Sequence, residues 1–126
     1  MAQRILVVDD HPGSVLVMRT MLEAQGYDIL SAADGIEALE CLRANCVDLV
    51  LLDIMMPRMN GLEALQRIKG DAATAHLPVI MVTAKAQDHD IIGGYRFGAD
   101  YYLTKPFTAQ QLRYGVDMFL GAQGAS

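Results

Sequence analysis

The amino-acid sequence predicts a doubly wound α/β domain, in which five parallel strands form one sheet that is covered by helices on both faces. Short apolar runs alternate with amphipathic stretches about five times along the 126 residues. The first and third runs are apolar at consecutive positions, as expected for strands that helices cover on both sides. Successive runs are separated by enough chain for a helical crossover, which parallel strands require. The length is typical of one domain.

The predicted strands are short, as expected for a buried parallel sheet. In chain order they comprise residues 5–8, 27–33, 47–52, 78–82 and 99–103. The first is the run from Ile5 to Val8, and the third is almost wholly apolar.

The predicted helices follow the strands and carry apolar residues at a spacing of three or four. In chain order they comprise residues 11–25, 34–45, 61–69, 87–97 and 108–120. Gly26 closes the first helix, because glycine adopts the left-handed conformation that often ends helices. Asp34 and Thr108 are the expected N-caps of the second and last helices, and Gly121 ends the last.

Composition and charge argue against several classes of function. The net charge is −5 and the ten basic residues are scattered, so direct binding to nucleic acid or to an anionic membrane is not expected. No apolar stretch reaches the roughly 18–20 residues that cross a bilayer. The first apolar run is too short for a secretory signal, so we expect a cytoplasmic protein.

The cysteines and histidines lack the spacing of a metal or catalytic site. Cys41 and Cys46 are expected to be reduced thiols on or near a helix, with a disulfide or a metal site as the alternative. His11, His76 and His89 have no carboxylate neighbours at catalytic spacing and are expected at the surface.

Polar side chains stand where four of the predicted strands end. The first strand ends in Asp9 and Asp10, the third in Asp53 and the fourth in Thr83, and Lys105 follows the fifth. In a doubly wound sheet, functional groups lie at the carboxyl ends of the strands. We therefore expect these five groups to converge at one edge of the sheet.

Three converging carboxylates predict a cation site, because their mutual repulsion and their burial both disfavour the charged form. Mg²⁺ prefers oxygen ligands and typically takes one or two carboxylates. Asp10 and Asp53 are the expected carboxylate ligands, with Asp9 adjacent or acting through water. The backbone carbonyl of Met55 is a further candidate ligand.

The same cluster suits phosphoryl transfer, which depends mainly on positioning and charge stabilisation. The carboxylate of Asp53 is a competent nucleophile toward phosphorus. Lys105 offsets negative charge and Thr83 can donate a hydrogen bond to a phosphate oxygen, while the small Ala84 leaves the approach to Asp53 open.

Four segments resemble, in order and spacing, the receiver domain of bacterial response regulators, a family of two-component signalling that includes the chemotaxis regulators. They are ILVVDD, LLDIMMPRMNGLE, VIMVTAK and FGADYYLTKPF, and the resemblance extends from residue 5 to about residue 120. It implies a flavodoxin-like sheet with strand order 2-1-3-4-5. We expect a receiver domain at residues 1–121 and, because residues 122–126 are small and rich in Gly and Ala, a flexible tail or linker stub there.

The resemblance assigns a role to each strand-end group. Asp53 becomes the phospho-acceptor, and Asp9 and Asp10 become the acidic pair that holds Mg²⁺. Thr83 becomes the switch hydroxyl and Lys105 the lysine that pairs with the phosphate. A cis peptide bond before the proline that follows Lys105 is also implied.

A conformational switch is the second implication of the resemblance. Tyr102 becomes the aromatic switch residue, and the face formed by the fourth helix, the fifth strand and the fifth helix becomes the output surface. Our candidates for this altered face are Ile91, Ile92, Tyr95, Tyr102 and Leu112. Gly93 and Gly94 each cost about 1 kcal/mol in a helix interior. They indicate a short, frayed fourth helix or, as we hypothesise, a loose helix that orders on phosphorylation.

The implied partners are signalling proteins. A sensor histidine kinase or a histidine phosphotransfer protein would donate the phosphoryl group, and a target protein or a second copy would bind the output face. We expect no enzymatic activity other than phosphotransfer to the chain itself and autodephosphorylation. The sequence leaves open a stand-alone receiver or a part of a larger regulator or hybrid kinase.

The departures from the family pattern lie outside the five strand-end groups. His11 follows the acidic pair where acidic or small polar residues are common, Asn60 replaces a frequent Asp, and Tyr101 replaces a usual Asp. Met55 and Lys85 occupy positions that tune the dephosphorylation rate in the family.

The sequence disfavours three other functions. An aspartyl-phosphate phosphatase generally has a second Asp two residues after the nucleophile, where this chain has Met55. A flavin carrier needs a phosphate-binding loop after the first strand, where Asp9 and Asp10 would repel the phosphate. A pseudo-receiver that is not phosphorylated is disfavoured because all five pocket groups are present.

Overall fold

The computed structural model describes residues 2–83 and 98–121. The strands are β1 (Arg4–Val8), β2 (Asp28–Ala32), β3 (Leu49–Asp53), β4 (Val79–Thr83) and β5 (Tyr101–Thr104). The helices are α1 (Pro12–Glu23), α2 (Gly35–Ala44), α3 (Gly61–Gly70) and the C-terminal helix (Ala109–Leu120). The predictions for the fourth helix at residues 87–97, for Ala84 and Lys85, and for the tail at residues 122–126 lie outside the described residues.

The five strands form one parallel sheet in the order β2-β1-β3-β4-β5. The doubly wound fold and the 2-1-3-4-5 order are therefore confirmed. The direction in which strands are added reverses between β1 and β3, and in such sheets functional sites form outside the carboxyl ends of the strands at that point.

The three central strands β1, β3 and β4 bury residues on both faces of the sheet. In β1, Leu6 and Val8 pack into a core shared with α2 and α3, whereas Ile5 and Val7 pack into a core shared with α1 and the C-terminal helix. All four side chains are fully buried. The two cores fix the sheet between two helical layers and hold the strand ends in place.

The helix ends follow the predicted chemistry. Asp34 caps α2, because its Oδ1 accepts a hydrogen bond of 2.9 Å from the backbone N–H of Glu37. Thr108 and Gln111 form a reciprocal capping box at the C-terminal helix. Asn60 caps α3 by accepting from the backbone N–H of Glu63 at 2.9 Å, so the replacement of the frequent Asp keeps a good N-cap.

Asp53 ends β3 as expected, and its backbone pairs in register with Val82 of β4. Two details differ from the sequence-based expectations. The fifth strand begins at Tyr101, later than expected. Leu112 was a candidate for the output face, but this was wrong: it is buried in the core, and Tyr114 is exposed on the same helix instead.

Within the described residues, no helix combines the length and the apolar character that crossing a membrane requires.

Candidate functional site

The sheet topology brings the acidic residues together. Asp9 and Asp10 follow β1 directly, and Asp53 ends the neighbouring strand β3. Asp9 and Asp53 are buried, with 2% and 6% of their surface exposed. One ligand atom from each of these three residues and one from His11 lie within 4.8 Å of one another. The predicted carboxylate cluster therefore exists at the carboxyl edge of the sheet.

Lys105 is the cation of this cluster. Its Nζ donates a hydrogen bond of 2.7 Å to Asp9 Oδ2 and lies 3.8 Å from Asp53 Oδ2. Its backbone N–H donates to the carbonyl of Thr83 at 2.7 Å, and the peptide bond to Pro106 is cis, as the sequence implied. The hydrogen bonds hold Lys105 directly after β5, with its ammonium group toward the carboxylates.

The carboxyl group of Asp53 resists ionisation. Burial is the main cause that raises its pKa above the ordinary value, and the neighbouring Asp9 raises it further, whereas Lys105 lowers it. The backbone N–H of Met55 also lowers it, at 3.4 Å from Asp53 Oδ1. Because burial has the largest effect, the protein alone does not fully offset the cost of the charged carboxylate. An added cation would stabilise the charged form.

The donor set fits Mg²⁺. Three carboxylates converge, and Asp10 Oδ1 is buried without a hydrogen-bond partner among the described residues. A buried carboxylate oxygen that makes no hydrogen bond is costly unless it binds something, and hard divalent cations prefer such ligands. Asp9, Asp10 and Asp53 are the residues that would hold the ion. The carbonyl of Met55, whose side chain is exposed, stays a predicted additional ligand.

The two predicted switch residues lie on the adjoining strands. Thr83 ends β4, is 2% exposed, and pairs in register with Thr104 of β5. Tyr102 is half-buried in β5, opposite Met81, and packs against the core that faces α2 and α3. Thr83 therefore borders the cluster, whereas Tyr102 lies two residues before the end of its strand.

His11 is a site residue that the sequence analysis missed. Its side chain is exposed as expected, but the expectation that it lacks carboxylate neighbours was wrong. Its Nδ1 lies 3.1 Å from Asp10 Oδ1 and 3.3 Å from Asp9 Oδ1. Only the contact with Asp9 has the geometry of a hydrogen bond, and Asp10 Oδ1 makes no hydrogen bond. The chain shows that His11 directly follows Asp9 and Asp10, but it does not show the orientation of the ring at the start of α1.

Comparisons with known proteins agree with this geometry. A family model described as the response regulator receiver domain matches residues 5–117. Protein PilH of Pseudomonas aeruginosa is 42% identical over 93% of this chain and 97% of its own length. The alkaline phosphatase synthesis transcriptional regulatory protein PhoP of Bacillus subtilis is 37% identical over 95% of this chain and 49% of its own length, so the chain spans about half of that relative.

A solved structure shares the fold and carries a metal. It is the receiver domain of the sensor histidine kinase PA1611 from Pseudomonas aeruginosa, with a magnesium ion coordinated in its active site cleft. The TM-score is 0.88 at 30% sequence identity, over 96% of this chain and 99% of that one.

Proposed function

The chain belongs to the response regulator receiver family, and from that premise we propose that it is a phosphorylation switch whose acceptor is Asp53. In this proposal, a sensor histidine kinase or a histidine phosphotransfer protein presents a phosphohistidine in the cytoplasm. Asp53 takes the phosphoryl group while Asp9, Asp10 and Asp53 hold Mg²⁺. The receiver unit comprises residues 1–121.

One observation carries the proposal: three strands deliver two buried carboxylates and an ammonium group to the same point. Asp9 and Asp53 come from neighbouring strand ends, and Lys105 Nζ lies between their Oδ2 atoms, at 2.7 Å and 3.8 Å. The carboxylate beside this shared cation is a nucleophile with its negative charge partly offset, as attack on a charged phosphoryl group requires.

In the proposed step the phosphoryl group passes from the donor imidazole to Asp53. An oxygen of Asp53 attacks phosphorus, the P–N bond to the donor imidazole breaks, and its electron pair stays on the imidazole nitrogen, which takes a proton. The product is an acyl phosphate on Asp53. Bound Mg²⁺ supplies charge neutralisation for the carboxylates and the phosphoryl oxygens. Autodephosphorylation is attack by water on the same phosphorus, which releases inorganic phosphate and restores the carboxylate.

Lys105 and Thr83 have separate parts in this step. Lys105 Nζ exchanges part of its contact with Asp9 for a phosphoryl oxygen. The hydroxyl of Thr83 donates a hydrogen bond to another phosphoryl oxygen. Because Thr83 is buried at the end of β4, this bond would pull on the backbone beside β5.

The output follows from the position of Tyr102. Its half-buried ring moves inward when Thr83 shifts, and this changes the surface next to β5. The altered surface binds a target protein or a second copy of the chain. A phosphoryl group can drive this change only through contacts that differ between the two states, and Thr83 and Lys105 provide such contacts.

Intact mass after incubation with acetyl phosphate tests the chemistry. Wild type should gain one phosphoryl group in Mg²⁺ and almost none in EDTA, and Asp53→Asn should gain none. Asp10→Asn keeps the acceptor but loses a proposed ligand, so it should need more Mg²⁺ for the same rate. A wild type that takes up no phosphoryl group under any condition would contradict the proposal and favour a pseudo-receiver.

A further inference from the structure

The loop that follows the proposed acceptor is attached to a helix that carries none of the proposed reacting groups. We call residues 54–60, between β3 and α3, the acceptor loop. It begins immediately after Asp53 and contains Met55, and Gly61 closes it by donating its N–H to the carbonyl of Ile54 at 2.8 Å. The position of the loop therefore decides where the Met55 backbone lies relative to the carboxylates.

A side-chain pair joins the acceptor loop to the start of α2. Arg58 Nε donates a hydrogen bond of 2.6 Å to Asp34 Oδ2, and Arg58 Nη2 lies 3.6 Å from Glu37 Oε2. The Asp34 side chain is only 6% exposed, and its other oxygen caps α2. Arg58 is the main cause that lowers the pKa of Asp34, which agrees with a close contact to the charged carboxylate.

The backbone at this contact is unusual and closely packed. Arg58 has a φ of 62°, in the left-handed region that non-glycine residues rarely adopt. Such a conformation persists only where surrounding contacts hold it. Next to it, the N–H of Gly35 donates to the carbonyl of Met59 at 3.1 Å, and a Cβ on Gly35 would lie 2.7 Å from the Met59 side chain. The loop and the helix start thus fit together with little room to spare.

From these contacts we propose that Arg58 and Asp34 are positioning residues, whose ion pair holds the acceptor loop so that the Met55 backbone completes the cation site. The inference rests on the proposed function, in which that site holds Mg²⁺. Neither residue touches the reacting atoms. The pair acts on cation affinity, while Lys105 and Asp53 carry the chemistry.

The chain offers variants that separate this role from helix capping and backbone strain. Asp34→Asn keeps an N-cap acceptor for α2 but removes the charge that holds Arg58. Arg58→Gly removes the side chain and at the same time relieves the left-handed backbone. Arg4→Gln is the matched control, because it removes a similar arginine–aspartate pair, to Asp28 at 3.2 Å, at the opposite end of β1.

Mg²⁺ affinity, measured by NMR titration of backbone amides, is the decisive quantity. Groups that orient metal ligands typically change affinity by about 10- to 100-fold, and Arg58 is half exposed, so we expect about a tenfold weaker Mg²⁺ affinity in each single variant. The double variant should be no weaker than either single one, because both remove the same contact. Arg4→Gln should bind Mg²⁺ like wild type.

Two further measurements separate an effect on the acceptor loop from a loss of the phosphorylation chemistry. Amide exchange at Met55 and Gly61 should speed up in both variants, and phosphorylation by acetyl phosphate at saturating Mg²⁺ should recover toward the wild-type rate. Unchanged Mg²⁺ affinity in both single variants would overturn the inference even if wild type is phosphorylated. A wild type that binds Mg²⁺ but takes no phosphoryl group would contradict the proposed function alone.

Discussion

Gly61 allows the first turn of α3 to pass directly behind the proposed acceptor, which makes Gly61→Ala a sharp test of the site's packing. A Cβ at this position would lie 2.0 Å from the backbone carbonyl oxygen of Asp53 and 2.8 Å from the Cα of Ile54. Real Cβ contacts are essentially never shorter than 3.0 Å, so the two backbones would have to separate by about 1 Å.

The free-energy change can be estimated from three parts. Overpacking costs about 1–3 kcal/mol and occasionally more, and a backbone clash belongs at the upper end. Weakening the hydrogen bond from Gly61 to Ile54 adds about 1 kcal/mol, whereas alanine's helix propensity returns about 1 kcal/mol. We therefore expect Gly61→Ala to lose about 3 kcal/mol of unfolding free energy.

Urea unfolding followed by circular dichroism measures this loss, since the chain has no tryptophan for fluorescence. Gly70→Ala is the matched control, because Gly70 ends the same helix and a Cβ there meets no atom of the described residues within 4 Å. That control should be neutral or more stable by up to about 1 kcal/mol. Equal unfolding midpoints for the two variants would refute the reasoning.

Substitutions at three other positions test separate features of the structure. Burial and the hydrogen bond to Asp117 raise the pKa of Tyr27 from 10.0 to about 12. The folded state therefore holds the phenolic proton more tightly than the unfolded state. The resulting stabilisation is complete below pH 10 and is lost as the pH rises from 10 to about 12. Between pH 10 and about 12, the unfolding free energy measured in urea should decline less for Tyr27→Phe than for wild type. Equal declines in the two proteins would contradict this role of Tyr27. Lys105→Met leaves the carboxylate of Asp9 buried without its cation and should cost about 3 kcal/mol at neutral pH, part of which Mg²⁺ should recover in the same assay. Thr108→Ala should cost about 1 kcal/mol and lower the melting temperature, whereas Thr108→Asn should stay close to wild type.

Much of the site could be predicted from the sequence, because strand ends in a parallel sheet have few possible arrangements. Asp9, Asp53 and Lys105 are far apart in the chain, yet each follows or ends an apolar run, and the sheet topology alone brings them to one edge. The helix caps could also be predicted, because Asp34 and Thr108 accept hydrogen bonds from nearby backbone N–H groups. Local chemistry and topology were sufficient for these features.

Features that depend on loop or side-chain conformation could not be predicted from the sequence. The pair between Arg58 and Asp34 joins residues 24 apart and needs a positive φ at an arginine, which no local rule favours. The contact of His11 with the acidic pair depends on the ring orientation at the start of α1. Leu112 was placed on the wrong side of its helix, because the apolar pattern does not reveal which of its residues faces the sheet.

The identity of the acceptor is the central claim, and reduction with borohydride tests it most directly. Borohydride reduces an acyl phosphate to an alcohol, so a phosphorylated aspartate becomes homoserine, whereas free carboxylates do not react. After incubation with acetyl phosphate and Mg²⁺, peptide mass mapping should find homoserine at position 53 and unchanged Asp9 and Asp10. Homoserine at another aspartate, or none in a sample that carries the phosphoryl group, would contradict the account.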